Sequence, residues 1–133
     1  MHIPNDLRYS NEHEWVRVED DVAAVGITDY AQDQLGDVVY LDLPAIGGSV
    51  VQNEKLGEIE SVKAVSDLFA PVSGEVVDLN QEAIDTPELV NGEPYGRGWL
   101  LKVRLSDAGE LDNLLSPKAY EELVTQELEE QSA

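Results

Sequence analysis

Lys63 stands in the run GEIESVKAVSD (residues 57–67), where polar and apolar residues alternate between carboxylates. Between Arg17 and Arg97 the only other cation is Lys55, so Lys63 belongs to no basic patch and has to be explained as an individual residue. A lysine that serves as a base or forms a Schiff base must lose its proton near neutral pH, which requires burial or cationic neighbours. Glu58, Glu60 and Asp67 work against that, because opposite charge stabilises the ammonium. The pattern fits a lysine displayed for another enzyme to modify, with the acids as recognition marks. An ordinary exposed turn lysine fits the same residues.

The remaining side chains offer little catalytic chemistry. There is no cysteine, hence no disulfide, thiolate ligand or cysteine nucleophile. No phosphate-cradling glycine loop, GxSxG elbow or HExxH pair occurs. The histidines are His2 and His13. His13 has Glu12 and Glu14 beside it as acid-base company, although an isolated histidine of this kind is more often structural or solvent-facing. The three residues of EHE cannot all face one ion from a strand, which weakens a metal reading. Carboxylates are plentiful, yet nothing singles out a pair with one member in an apolar pocket, as glycosidase chemistry needs. No self-contained catalytic set emerges. With 28 acidic against 8 basic residues, the formal charge of −20 repels nucleic acid and favours encounters with basic protein surfaces. No apolar run approaches a membrane span, and the first residues lack both a signal-peptide core and an arginine-rich amphipathic pattern. A cytoplasmic protein, or the mature form of an organelle protein, is the expectation.

The elements that must hold Lys63 are mostly strands. EWVRV (14–18) alternates and VAAVGI (22–27) reads as its hairpin partner across an acidic turn. Thr28 caps a short helix over 28–35, with Asp29 in its first turn and Gly36 at its stop. DVVYLDLP (37–44) is a strand with Val39, Leu41 and Leu43 on one face, ended by Pro44. Apolar residues alternate on both sides of Lys63, which predicts two strands turning over at or next to it. Gly48-Ser-Val and Ser73-Gly-Glu-Val, about a dozen residues to either side, suggest two similar strand-turn units packed face to face. Residues 80–97, rich in proline and glycine, read as a long surface loop. WLLKVRL is a last strand with Trp99, Leu101, Val103 and Leu105 inward. Asp107 and Glu110 have capping-box spacing, and Ser116-Pro117 opens a helix whose stripe is Tyr120, Leu123, Val124 and Leu128. The expected fold is one mainly β domain over 1–133, with a core at about 7–105 and a helical segment at about 107–130.

Three blocks, SNEHEWVRVEDDVAAVGITDYAQDQLGDVVYLDLPAIG, GEIESVKAVSDLFAPVSGEVVDLN and EPYGRGWLLKV, resemble the glycine cleavage H-protein family in order and spacing. The likeness runs from about Leu7 to the C-terminal helix. It implies a hybrid of barrel and sandwich, two sheets with a modified lysine on a hairpin. It further implies that Lys63 carries lipoic acid in amide linkage, and that the chain is a carrier rather than an enzyme. The implied partners are a pyridoxal-phosphate glycine decarboxylase, a tetrahydrofolate-dependent aminomethyltransferase and the flavoprotein dihydrolipoyl dehydrogenase. A lipoyl or octanoyl transferase or lipoate ligase would install the arm. Bond lengths along lysine and lipoyl give a reach of roughly 14 Å, enough to serve separate active sites from a fixed base. By their place in the motifs, Glu14 and Asp67 are candidates for a cleft that docks the cationic cargo. Glu12, where some relatives would carry a small polar residue, bears on that docking. The implied compartment is the cytoplasm of a bacterium or the mitochondrial matrix. A lipoate-relay carrier, or a lipoyl or biotinyl domain of another complex, are the alternatives; lysines of the latter usually sit in DKA or MKM contexts, and SVKA is neither.

Overall fold

The structure, a computed structural model, describes residues 1–132. Two antiparallel sheets carry the fold. The larger has the order β1-β2-β3-β9-β8-β5, and the smaller, β4-β6-β7, holds the Lys63 hairpin. In chain order these are β1 (Arg8–Tyr9), β2 (Glu14–Glu19), β3 (Val22–Ile27), β4 (Val38–Asp42), β5 (Ser49–Val50), β6 (Lys55–Ser61), β7 (Val65–Phe69), β8 (Gly74–Leu79) and β9 (Leu101–Leu105). Helix α1 (Asp29–Leu35) follows β3, α2 (Gln81–Asp85) and α3 (Leu89–Gly92) lie between β8 and β9, and α4 (Pro117–Ser132) closes the chain.

β2 and β3 pair from Glu14↔Ile27 to Glu19↔Val22, as the alternation predicts. β2 nevertheless buries Glu14, Trp15 and Val16 in succession, because both faces of the sheet are covered there. Val16 joins the main core between the sheets, with Val25, Ile59, Val76 and Val103, while Trp15 joins a second core with Leu7, Tyr9, Tyr30, Tyr120 and Val124. Trp15 sits opposite Gly26, where an added Cβ would lie 2.6 Å from the indole carbons. Glycine there makes room for the ring.

Helix α1 is capped as expected: Thr28 Oγ1 accepts from the amide of Ala31 (3.2 Å), and Gly36 takes φ of 80° at the stop. α4 likewise opens with the Ser116 hydroxyl accepting from Ala119 N (3.1 Å) ahead of Pro117.

Several expectations need correction. A register shift between Val38 and Tyr40 buries Val38 and Leu41 and turns Val39 outward. The similar segments around residues 48 and 74 do not face each other across a core; β5 and β8 are edge partners, Ser49↔Glu75 and Val50↔Gly74. Residues 80–97 contain α2, with Asn80 Oδ1 capping Ala83 N, and α3. Leu100 and Leu101 are both buried, so the alternation of the last strand starts at Leu101; Trp99 is half-buried beneath Lys102, whose Nζ is 5.1 Å from the ring centre, and Leu105 is half-buried. Asp107 caps a 3-10 helix, Ala108–Asn113, whereas Glu110 grips the amide and hydroxyl of Ser73 at 2.8 Å each instead of completing a capping box. On α4, Tyr120 and Val124 are buried and Leu128 is exposed.

Candidate functional site

Lys63 occupies the tip between β6 and β7. The hydroxyl of buried Ser61 accepts from the amides of both Lys63 (3.3 Å) and Ala64 (3.2 Å), and Ser61 N donates to the Ala64 carbonyl (2.8 Å). The Val62 amide donates to Asp37 O (2.9 Å), tying the tip to the start of the smaller sheet. The turn is thus clamped at its base while Lys63 itself is exposed. Of the carboxylates that neighbour it in sequence, Glu58 and Asp67 bind Lys55 instead, at 2.9 and 3.1 Å. Strand pairing explains this: Glu58 lies opposite Asp67, and Lys55 reaches both. No carboxylate lies within ion-pair distance of Lys63 among the described residues. Its stem passes over Gly36; a Cβ built there would stand 3.4 Å from Lys63 Cε, so the helix stop leaves the lysine clear ground.

Beside the hairpin opens a cleft of about 690 Å³. Ala64 to Phe69 form one side, Tyr30, Ala31, Gln34 and Leu35 of α1 another, and Glu127, Glu130 and Gln131 of α4 a third. Glu12, His13 and Glu14 complete its lining.

Glu14 is 2% exposed. The Ser10 hydroxyl donates to its Oε1 (2.6 Å) while accepting from Glu14 N (3.0 Å), and the Phe69 amide reaches Oε2 at 3.4 Å. Burial pushes the carboxyl up to about 8; the Ser10 and Phe69 donors offset part of that shift, and the Glu12 charge adds to it. A buried acid with so few donors binds a proton or a cation tightly, since either removes an uncompensated charge. Asp67 lines the same cleft but is exposed and already paired. The two candidate acids therefore share a cleft without sharing an environment.

His13, at φ of 70°, is not the partner of Glu12 or Glu14. Its Nδ1 lies 2.9 Å from Tyr120 Oη and its Nε2 2.8 Å from Glu127 Oε2, and burial lowers its pKa. With a neutral ring, Nδ1 accepts from Tyr120, and Tyr120 accepts from Thr28 (2.6 Å), whose oxygen already caps Ala31. Glu127 Oε2 lies close to Nε2 yet is the one buried side-chain oxygen without a hydrogen-bond partner among the described residues. Tyr120 was expected on the apolar stripe of the last helix and Tyr30 within the short helix, but only as packing residues; Ser10, Glu127 and Gln131 carry no motif that marks them in sequence. Among the described residues no group of three His, Asp or Glu side chains is set to hold a metal, and no helix is long and apolar enough to cross a membrane.

Residues 7–127, which contain the hairpin, the buried acid and almost the whole cleft, match the family described as glycine cleavage H-protein. The chain belongs to that family. Similar members include the glycine cleavage system H protein of Carboxydothermus hydrogenoformans, 52% identical over 125 residues, which cover 94% of this chain and 96% of the relative. That of Symbiobacterium thermophilum is 56% identical over 119 residues, 90% of this chain and 93% of the relative. The crystal structure of a glycine cleavage system H protein from Mycobacterium marinum superposes with a TM-score of 0.83 at 40% identity, over 94% of this chain and 98% of that one. The two-sheet architecture with short helices and a C-terminal helix is thus shared with a solved member of the family.

Proposed function

We propose that the chain is a single carrier domain of glycine cleavage, lipoylated at Lys63 and not itself an enzyme. It would take the aminomethyl group of glycine from the decarboxylase to the aminomethyltransferase and then present its dithiol to dihydrolipoyl dehydrogenase, after a lipoyl or octanoyl transferase or a lipoate ligase has installed the arm. The observation that carries this reading is the placement of Lys63: exposed, free of carboxylates, on a turn clamped by Ser61 and beside a cleft with a buried acid.

The residues fit the group. Amide formation removes the lysine charge, which here breaks no ion pair, and Gly36 leaves the stem unhindered. When bound, the lipoyl group supplies a dithiolane whose sulfur accepts the aminomethyl group as carbon dioxide leaves. The protein's own part is to hold the base of the arm still, so that one tethered group meets several active sites at high effective concentration. Its second part is to shelter a cationic, hydrolytically fragile cargo. Glu14 would give up its proton as the cation enters and so provide the counter-charge in a place shielded from water, where a charge-assisted hydrogen bond is strongest. Asp67 and Glu12 contribute weaker fields from the rim.

The formal charge of −20 supports rapid encounters with basic enzyme mouths. The test is exchange of bicarbonate carbon into glycine by the pyridoxal-phosphate decarboxylase. Lipoylated protein should stimulate it and Lys63→Arg should not. Absence of stimulation by the lipoylated protein contradicts this reading and favours a relay carrier.

A further inference from the structure

Helix α4 is held very differently along its length. Its first half is anchored: Tyr120 is fully buried, stacks on Tyr9 with centroids 4.5 Å apart and bonds Thr28, and Val124 is buried in the same cluster. From Thr125 to Ser132 no residue is buried. This half touches the rest of the protein through Glu127, whose Oε2 meets His13 Nε2, and Gln131, whose Nε2–H donates to Tyr30 Oη (2.9 Å) and Gln34 Oε1 (3.3 Å). It is also the half that lines the cleft. A helix end with no apolar anchor opens far more readily than the core it adjoins.

We infer that Glu127 and Gln131 are positioning residues, which latch the last two turns of α4 against His13, Tyr30 and Gln34 as a detachable wall of the cleft and so set how long a loaded arm stays sheltered. The inference rests on the carrier reading. Location supports it: the weakest-held wall faces the buried acid, and its two latches reach both elements opposite, the start of β2 and α1. Opening at these polar contacts would expose the cleft without disturbing Tyr120, Val124 or either sheet. Closure of such a segment excludes water, as lids do in enzymes.

Glu127→Gln and Glu127→Ala separate the latch from a purely electrostatic effect. Glutamine keeps an oxygen in contact with His13 Nε2; alanine removes the contact. Two readouts are needed. In the arm-free chain, amide hydrogen exchange over 125–132 should quicken roughly fivefold in Glu127→Ala and in Gln131→Ala, each of which removes one latch. Glu127→Gln should stay near wild type. In the lipoylated chain charged by the decarboxylase and then separated from it, the aminomethyl group should be lost faster in the two alanine variants, in the same order as the exchange. Exchange at the wild-type rate in both alanine variants overturns the latch while leaving the carrier reading intact. So does faster exchange spread evenly over β2 and α1, which would mark a merely structural role. Faster exchange of the helix with unchanged loss of cargo overturns the sheltering role. A wild-type chain that takes up no aminomethyl group overturns the carrier reading and the inference with it.

Discussion

Replacing Glu14 with glutamine should change how stability depends on pH, by an amount that follows from its burial. The native carboxyl titrates near 8, against an ordinary value of 4.5. Below about pH 4.5 both the folded and unfolded chains hold the proton, so Glu14 adds no pH dependence. Between these values the folded chain keeps the proton and the unfolded chain releases it. Stability therefore falls as pH rises, by about 1.4 kcal/mol per pH unit. Above about 8 both states are ionised and the full penalty applies. A shift of this size is worth roughly 5 kcal/mol, and relaxation of a cleft open to water makes that an upper limit. Glutamine keeps an acceptor for only one of the two donors, Ser10 or Phe69, but it fills the same space and cannot ionise. Chemical denaturation of the arm-free chain from about pH 5 to 9, followed by the fluorescence of buried Trp15, gives both curves. Subtracting them cancels the self-repulsion of the other acids. The expected difference grows across the range in favour of the variant, by at least about 2 kcal/mol at the alkaline end. Parallel curves would refute the assignment of Glu14 as a buried acid.

Other consequences can be measured directly. In the charged, lipoylated protein, Glu14→Gln should hasten loss of the aminomethyl group in solution severalfold, and Asp67→Asn much less, because Asp67 is half-exposed and already paired with Lys55. Tyr120→Phe removes the hydroxyl between Thr28 and His13, leaving two groups without a partner. It should cost about 1–3 kcal/mol in denaturant titrations. Gly26→Ala drives a methyl group against Trp15 and should cost roughly 1–3 kcal/mol with a shift in tryptophan emission. Stimulation of the decarboxylase at subsaturating carrier should fall steeply with added salt, since exposed charges are screened beyond about 8 Å at physiological ionic strength.

The lysine hairpin was legible in the sequence because strand alternation runs up to Lys63 from both sides, and local signals such as Thr28, Gly36, Ser116 and Pro117 located two helices. Segments governed by distant contacts were not. EWVRV reads as a strand with one wet face, yet Glu14 and Trp15 are both buried, since β1, α1 and α4 cover the side that alternation assigns to solvent. Val39 misled because a bulge cannot be seen in the spacing of three apolar residues. Residues 80–97 looked like loop from their prolines and glycines, although Asn80 three positions before Ala83 was a readable cap. The acids near Lys63 in sequence gave the wrong neighbours, because strand pairing hands Glu58 and Asp67 to Lys55. The helix of the cleft's third wall was legible from Ser116 and Pro117, but its packing against a hairpin more than fifty residues away left no local trace.

Attachment at Lys63 can be read from the intact mass of the protein incubated with lipoate, ATP and a lipoate ligase, followed by peptide mapping. The expected result is one lipoyl-sized increment, located on Lys63 and absent from Lys63→Arg, with Lys55 unmodified. An increment on Lys55, a biotin-sized increment in the native protein, or no modification of Lys63 would contradict it.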